Sequence, residues 1–227
     1  MKHFIVGALM VGACAPAALA QDSGSSFSFD GYLGVVSDYR DRGLTLSDKD
    51  PAVIASLGLY HDNGFYVGAS AGSISEGAGG DAKASVFAGY SFDAGDFVYD
   101  LSVELDSIQG NDAKYYPEIS ASVSRDFGLA FIRTGAVYAP DGRWSAPNTD
   151  SFYIYTDVEV PVPTMPELTI ISRLGYDMRQ NRADLWDYAI GLSAFIDVVE
   201  FSIMYEDSSL DQAIGGGAIL GGIKLYF

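Results

Sequence analysis

The side chains best equipped for chemistry in this chain are carboxylates at strand-like spacing. Asp100, Glu104 and Asp106 stand at even intervals in one run; Glu118, then Asp157 with Glu159, and Asp177 continue the pattern. Residues at even spacing share one face of an extended strand, and two such carboxylates can serve as general acid and base. Acid that recurs along so many segments describes a wall rather than one catalytic pair. Nucleophilic serine chemistry calls for a histidine base, and beyond residue 20 only His61 remains, beside an Asp62-Asn63-Gly64 turn. Cys14 is the single cysteine and lies in a leader, so a processed chain has no thiol nucleophile. No strand-turn-helix serine motif, histidine cluster or calcium-loop spacing occurs. The expectation is a protein that is not an enzyme and that uses no metal or cofactor.

The elements that must carry these groups are read from the whole chain. Residues 1–20 have a basic head at Lys2, an apolar run from Phe4 to Val11 and a small-residue end at Ala18-Leu19-Ala20. This is the pattern of a cleaved signal peptide, leaving residues 21–227 as one domain. The 13 basic side chains, Lys2 among them, face 30 acidic ones, a balance that argues against nucleic acid as a partner. The 15 tyrosines and 13 phenylalanines argue against disorder, and 26 glycines with only 8 prolines suit tightly turned strands.

Period-two alternation runs through residues 21–227. In 97–106, Phe97, Tyr99, Leu101, Val103 and Leu105 oppose Asp100, Ser102, Glu104 and Asp106. The same pattern covers 27–40, 51–61, 65–75, 84–92, 115–124, 129–139, 152–160, 168–179, 185–196, 199–207 and 214–227, predicting twelve strands. Each is near the roughly 9–11 residues that a tilted strand needs to cross a bilayer. Tight-turn sequences at 62–64, 93–96, 126–128 and 197–198 alternate with longer polar loops at 41–50, 76–83, 107–114, 140–151, 180–184 and 208–213. Pro161, Pro163 and Pro166 cannot donate to a ladder and are expected past a strand end. Aromatics including Tyr39, Tyr60, Phe65, Phe92, Tyr115, Trp186 and Phe201 fall near strand ends, as interfacial girdles require. A soluble β-sandwich also alternates, but it must guard its edges, and no segment here reads as a guarded edge.

The fold class expected is therefore all-β: an antiparallel transmembrane β-barrel of about 12 strands preceded by a cleaved signal peptide. The last strand, ending Ile219-Leu220-Gly221-Gly222-Ile223-Lys224-Leu225-Tyr226-Phe227, has the look of an outer-membrane barrel's C-terminal strand, with Phe227 as the assembly signal. If the apolar faces meet lipid, the inward set contains Asp30, Asp38, Asp100, Glu104, Asp106, Glu118, Asp157, Glu159, Asp177, Asp187, Glu200 and Glu206 against Arg40, Arg133, Arg173, Arg179 and Lys224. So much charge in a dry core would be severely destabilising. The expectation is a lumen with a narrow aqueous path whose negative field favours cations or neutral polar solutes. Arg42, Arg143 and Arg182 are assigned to the outer loops.

One stretch carries a family resemblance. Val36-Ser37-Asp38-Tyr39-Arg40-Asp41-Arg42-Gly43, followed by Ser47-Asp48 and Pro51-Ala52 and then by Gly64-Phe65-Tyr66-Val67-Gly68, resembles the opening of the TorF-type porin family of Gram-negative outer membranes. That family usually has an aromatic or apolar residue between the two arginines, where this chain has Asp41. The resemblance implies location in the bacterial cell outer membrane, with outer-membrane lipid, lipopolysaccharide and the barrel-assembly machinery as partners. The function expected is a porin-like passive channel for small polar solutes. The alternative is a non-conducting structural or adhesion barrel acting through its outer loops.

Overall fold

The computed structural model describes residues 26–75, 78–110, 113–210 and 213–227. The expected signal segment lies outside them. Sixteen strands follow in chain order: β1 (Phe27–Val36), β2 (Arg40–Asp41), β3 (Leu44–Thr45), β4 (Ala52–His61), β5 (Phe65–Ser73), β6 (Ala82–Ala94), β7 (Phe97–Gln109), β8 (Lys114–Asp126), β9 (Phe131–Ala139), β10 (Gly142–Arg143), β11 (Ala146–Pro147), β12 (Ser151–Val162), β13 (Met165–Arg179), β14 (Leu185–Ile196), β15 (Val199–Ser208) and β16 (Ala218–Tyr226). Twelve of them form one closed antiparallel barrel in which each long strand pairs with its sequence neighbours and β1 closes on β16. The pairs β2–β3 and β10–β11 are short ribbons within two of the longer connections.

Closure follows from the alternation. On β7, Leu101 and Val103 are 54% and 55% exposed while Asp100 and Asp106, on the other face, are buried. On β16, Ile219, Ile223 and Leu225 point outward and Leu220 and Lys224 inward. The barrel thus has its apolar band outside and its polar residues within, the inverse of a water-soluble fold. In hydrocarbon the band needs no cover, and a closed ladder leaves no unpaired edge. The apolar cluster inside is small, formed by Tyr60, Tyr66 and Phe87.

At the seam β1 pairs with β16 from Tyr32 opposite Tyr226 to Val36 opposite Gly222. Phe227 extends this pairing by exchanging two backbone hydrogen bonds with Gly31, each 3.0 Å. Glycine suits this approach, since a Cβ at Gly31 would meet the backbone oxygen of Ser56 at 2.8 Å and the Phe227 ring at 2.9 Å.

The short connections all lie at one end. Gly95 and Asp197 take positive φ in two of them, 65° and 55°, as tight hairpins require. The proline-rich connection corrects the expectation: Pro161 lies within β12, opposite Thr169, and Pro166 lies within β13. The register slips between Pro161 and Val162, so the absent N–H falls where the ladder is already broken. Other boundaries differ as well: β7 runs on to Gln109 and β8 starts at Lys114, so half of the expected 107–114 loop is strand, and β6 and β13 are also longer than expected. The first strand stops at Val36 rather than at residue 40, and the last begins at Ala218 rather than 214. Tyr39 and Tyr60 also leave the expected girdle. Tyr60 is buried inside the barrel, and Tyr39 lines its interior clefts.

Candidate functional site

Two loops from the long-connection end enter the barrel and occupy its interior. The first, residues 37–51, is pinned by Asp38. Its Oδ1 accepts from Thr45 Oγ1 at 2.6 Å and from Ser47 Oγ at 3.2 Å, and its Oδ2 accepts from Arg40 Nε at 2.7 Å. These bonds fold the Asp38–Ser47 segment back on itself, and Leu44 and Leu46 become fully buried. Gly43 makes the turn, with φ +78° and a position so close to the wall that a Cβ would meet Cβ of Ser208 at 2.7 Å. The backbone then reaches neighbouring connections: Thr45 N donates to Ile214 O at 2.8 Å and Ser75 N to Leu46 O at 2.9 Å.

The second loop, residues 140–150, carries the β10–β11 ribbon and meets the first across the lumen. Asp41 Oδ2 accepts from Arg143 Nη2 and from Trp144 Nε1, the latter at 2.9 Å. Arg143 Nε also donates to Glu118 of β8 at 3.1 Å, and Arg42 Nη2 takes the other oxygen of Glu118 at 2.6 Å. The Arg42 guanidinium lies 4.4 Å over the ring of Tyr153 on β12. Burial opposes ionisation of the Asp41 carboxyl. The charges of Arg143, Lys83 and Arg42 and the Trp144 donor outweigh it, and the carboxyl is held well below the usual carboxylate range. Burial works against the Arg143 cation too, but Asp41, Glu118 and Asp177 raise its pKa above the ordinary guanidinium value.

Around the loops, the wall carries paired charge. Asp157 sits between two arginines, accepting from Arg173 Nε at 2.6 Å and from Arg133 Nη2 at 3.1 Å. Asp106 accepts from Lys83 at 2.7 Å and from Ser85 at 2.5 Å. Glu200 is held by Ser193, Tyr226 and Lys224. Asp100 accepts from Tyr66, Asp187 from Tyr153 and Asp177 from Ser151, at 2.9, 3.0 and 2.7 Å. Glu206 accepts from the backbone of Gly43 at 3.0 Å, fixing the first loop to β15. Glu159 is buried and Glu104 lines a cleft beside Asp106 and Glu118. Asp30 lies on the inward face of β1, in reach of Tyr60. Arg179 stands apart: it is half-exposed at the mouth and donates through Nε to Ala183 O at 2.8 Å.

Three interior cations were not expected there. Arg42 and Arg143 belong to loops whose polar sequences read as solvated. Lys83 falls one residue before the expected start of its strand, on the inward parity of Ser85 and Phe87. The clearest signal was the Leu44-Thr45-Leu46 run, an apolar alternation inside an otherwise polar loop. His61 is the last residue of β4 and accepts from Asn63 N through Nδ1, remote from the interior charges.

The first loop divides the remaining interior space. Tyr39, Arg40 and Asp41 border a cleft toward Lys83, Glu104 and Asp106, and also a second cleft toward Arg173, Asp187 and Glu206. The chemistry offered is that of a highly charged interior in which carboxylates are in excess.

Comparison with known proteins follows this geometry. The family described as a bacterial protein of unknown function, Gcw_chp, matches residues 20–219. No curated protein matches the chain. Among solved structures the barrel is similar to the KdgM porin, with a TM-score of 0.59 at 8% identity over 88% of this chain and 99% of that one. A KdgM porin in complex with disordered oligogalacturonate gives 0.60 at 9% identity, over 88% and 99% of the two chains. A NanC porin gives 0.56 at 12% identity, over 87% and 99%. At these identities the likeness is one of fold: a twelve-stranded porin-type β-barrel.

Proposed function

The chain belongs to the Gcw_chp family, and we propose that in this member the barrel is a passive outer-membrane channel for small polar solutes with a preference for cations. The observation that carries this reading is the combination of a closed, apolar-banded barrel with an interior in which carboxylates outnumber cations. Arg40 Nη2, Arg42 Nη1 and Arg143 Nη1 are buried without a hydrogen-bond partner. Charged donors in that state need water, so the interior is hydrated rather than dry. A negative hydrated passage concentrates cations and repels anions. The oligogalacturonate named with the KdgM porin is a polyanion; the acid excess here opposes such a solute, so the shared fold serves a different cargo.

The resemblance of residues 34–68 to TorF-type porins supports the outer-membrane placement, with lipopolysaccharide around the apolar band and the barrel-assembly machinery acting on the strand that ends at Phe227. Flux into liposomes containing the refolded protein tests the function. Lysine and a neutral pentose of similar size are expected to enter faster than gluconate. Equal entry of all three would remove the cation preference.

A second reading has its own observation. The two infolded loops fill much of the lumen, as they would in a non-conducting barrel that acts through its outer surface. Liposomes impermeable to every solute, with the protein shown to be folded, favour that reading.

A further inference from the structure

We propose that the two infolded loops are a latched plug, and that Asp41 is the latch residue that holds them together and thereby sets the size of solute admitted. The size consequence rests on the channel reading above; the latch itself does not. Each loop has its own ties to the surrounding structure, and Glu118 serves both. The first is held by Glu206 to Gly43, by Ile214 to Thr45 and by Glu118 to Arg42. The second reaches Glu118 and, at 4.0 Å, Asp177, both through Arg143. Direct side-chain bonds between the two loops converge on one group, the Asp41 carboxylate, which takes both Arg143 and Trp144.

Three features make this junction a switchable one. The loops are ribbons of two-residue strands, β2–β3 and β10–β11, with few backbone bonds of their own. Both are deeply buried, Leu44 at 0% and Ala146 at 2% exposure, so withdrawing either opens the mouth. The junction is ionic and buried, and loss of the Asp41 charge leaves Arg143 with only Glu118 at 3.1 Å and Asp177 at 4.0 Å. With that charge lost, Arg143 gains hydration by moving outward, and its loop moves with it. The latched barrel then passes ions and solutes no larger than a pentose through the two clefts beside Tyr39–Asp41. The unlatched barrel admits solutes of trisaccharide size.

The test uses a reporter that does not depend on conduction. Ala146→Cys places a thiol on β11 in a chain with no cysteine beyond residue 20. A charged methanethiosulfonate reagent should label it slowly in the folded barrel, and about tenfold or more faster when Asp41→Asn is added, as expected for loss of a buried ion pair. Trp144→Phe removes only the indole donor and should give an intermediate rate. It also serves if Asp41→Asn fails to fold. The same Asp41→Asn barrel should admit raffinose into liposomes that exclude it with the parent. Labelling unchanged by either substitution would overturn the latch. Faster labelling without added flux would leave the latch standing and overturn its role in setting solute size.

Discussion

Arg42 and Glu118, 76 residues apart in sequence, meet inside the barrel at 2.6 Å. One partner is on an infolded loop and the other on β8, so this bond ties the plug to the wall. Glu118 also holds Arg143, which makes it the one wall carboxylate shared by both loops. Its replacement by glutamine leaves two buried guanidinium groups short of charge, a loss of roughly 3–5 kcal/mol on the scale of broken buried pairs. The Glu118→Gln barrel should unfold at clearly lower urea than the parent, by intrinsic fluorescence or heat-dependent gel mobility. An unchanged midpoint would remove Glu118 from the account of the plug.

Selectivity should separate two kinds of interior acid. Glu104 borders a cleft with Asp106 and Glu118, whereas Asp157 is clamped between Arg133 and Arg173. Glu104→Gln is expected to lower the cation preference of the current. Asp157→Asn is expected to cost stability and to leave the preference nearly unchanged. Equal effects on reversal potential would show that pairing does not screen these groups.

The latch should resist acid. The Asp41 carboxyl is held below the usual carboxylate range, so what it contributes is fully present above its ordinary pKa of about 4 and is lost only as pH falls through the depressed folded value. Protection of a thiol at position 146 should therefore be the same at pH 7 and at about pH 4. Protection present at pH 7 but already lost at about pH 4 would place the ionic junction elsewhere.

Barrel closure should depend on its last residue. Phe227 adds two backbone hydrogen bonds to a β1–β16 seam that pairs over fewer residues than the other barrel seams. Deleting Phe227 should lower the folded fraction recovered in membranes, and the surviving protein should lose its heat-dependent mobility shift at lower temperature. Normal assembly would separate the terminal residue from closure.

The wall of this protein was legible in its sequence, and the plug was not. Alternation such as that of Phe97–Asp106 fixes which side chain faces lipid because a strand offers only two faces. Strand ends moved by a few residues where proline or a bulge intervened, as at Pro161, because those boundaries depend on partner register. A loop has no such period, and Arg42 and Arg143 read as solvated until tertiary contacts drew them inward. Even so, Leu44 and Leu46 in a polar loop, and Asp41 between two arginines, were departures from solvent chemistry. Both proved to lie at the centre of the plug.

The most direct test is the current across planar bilayers containing the refolded barrel under a potassium chloride gradient. The account predicts small discrete steps with a cation-selective reversal potential. Steps that reverse toward chloride, or silence from both the parent and the Asp41→Asn barrel when each is shown to be folded, would contradict it.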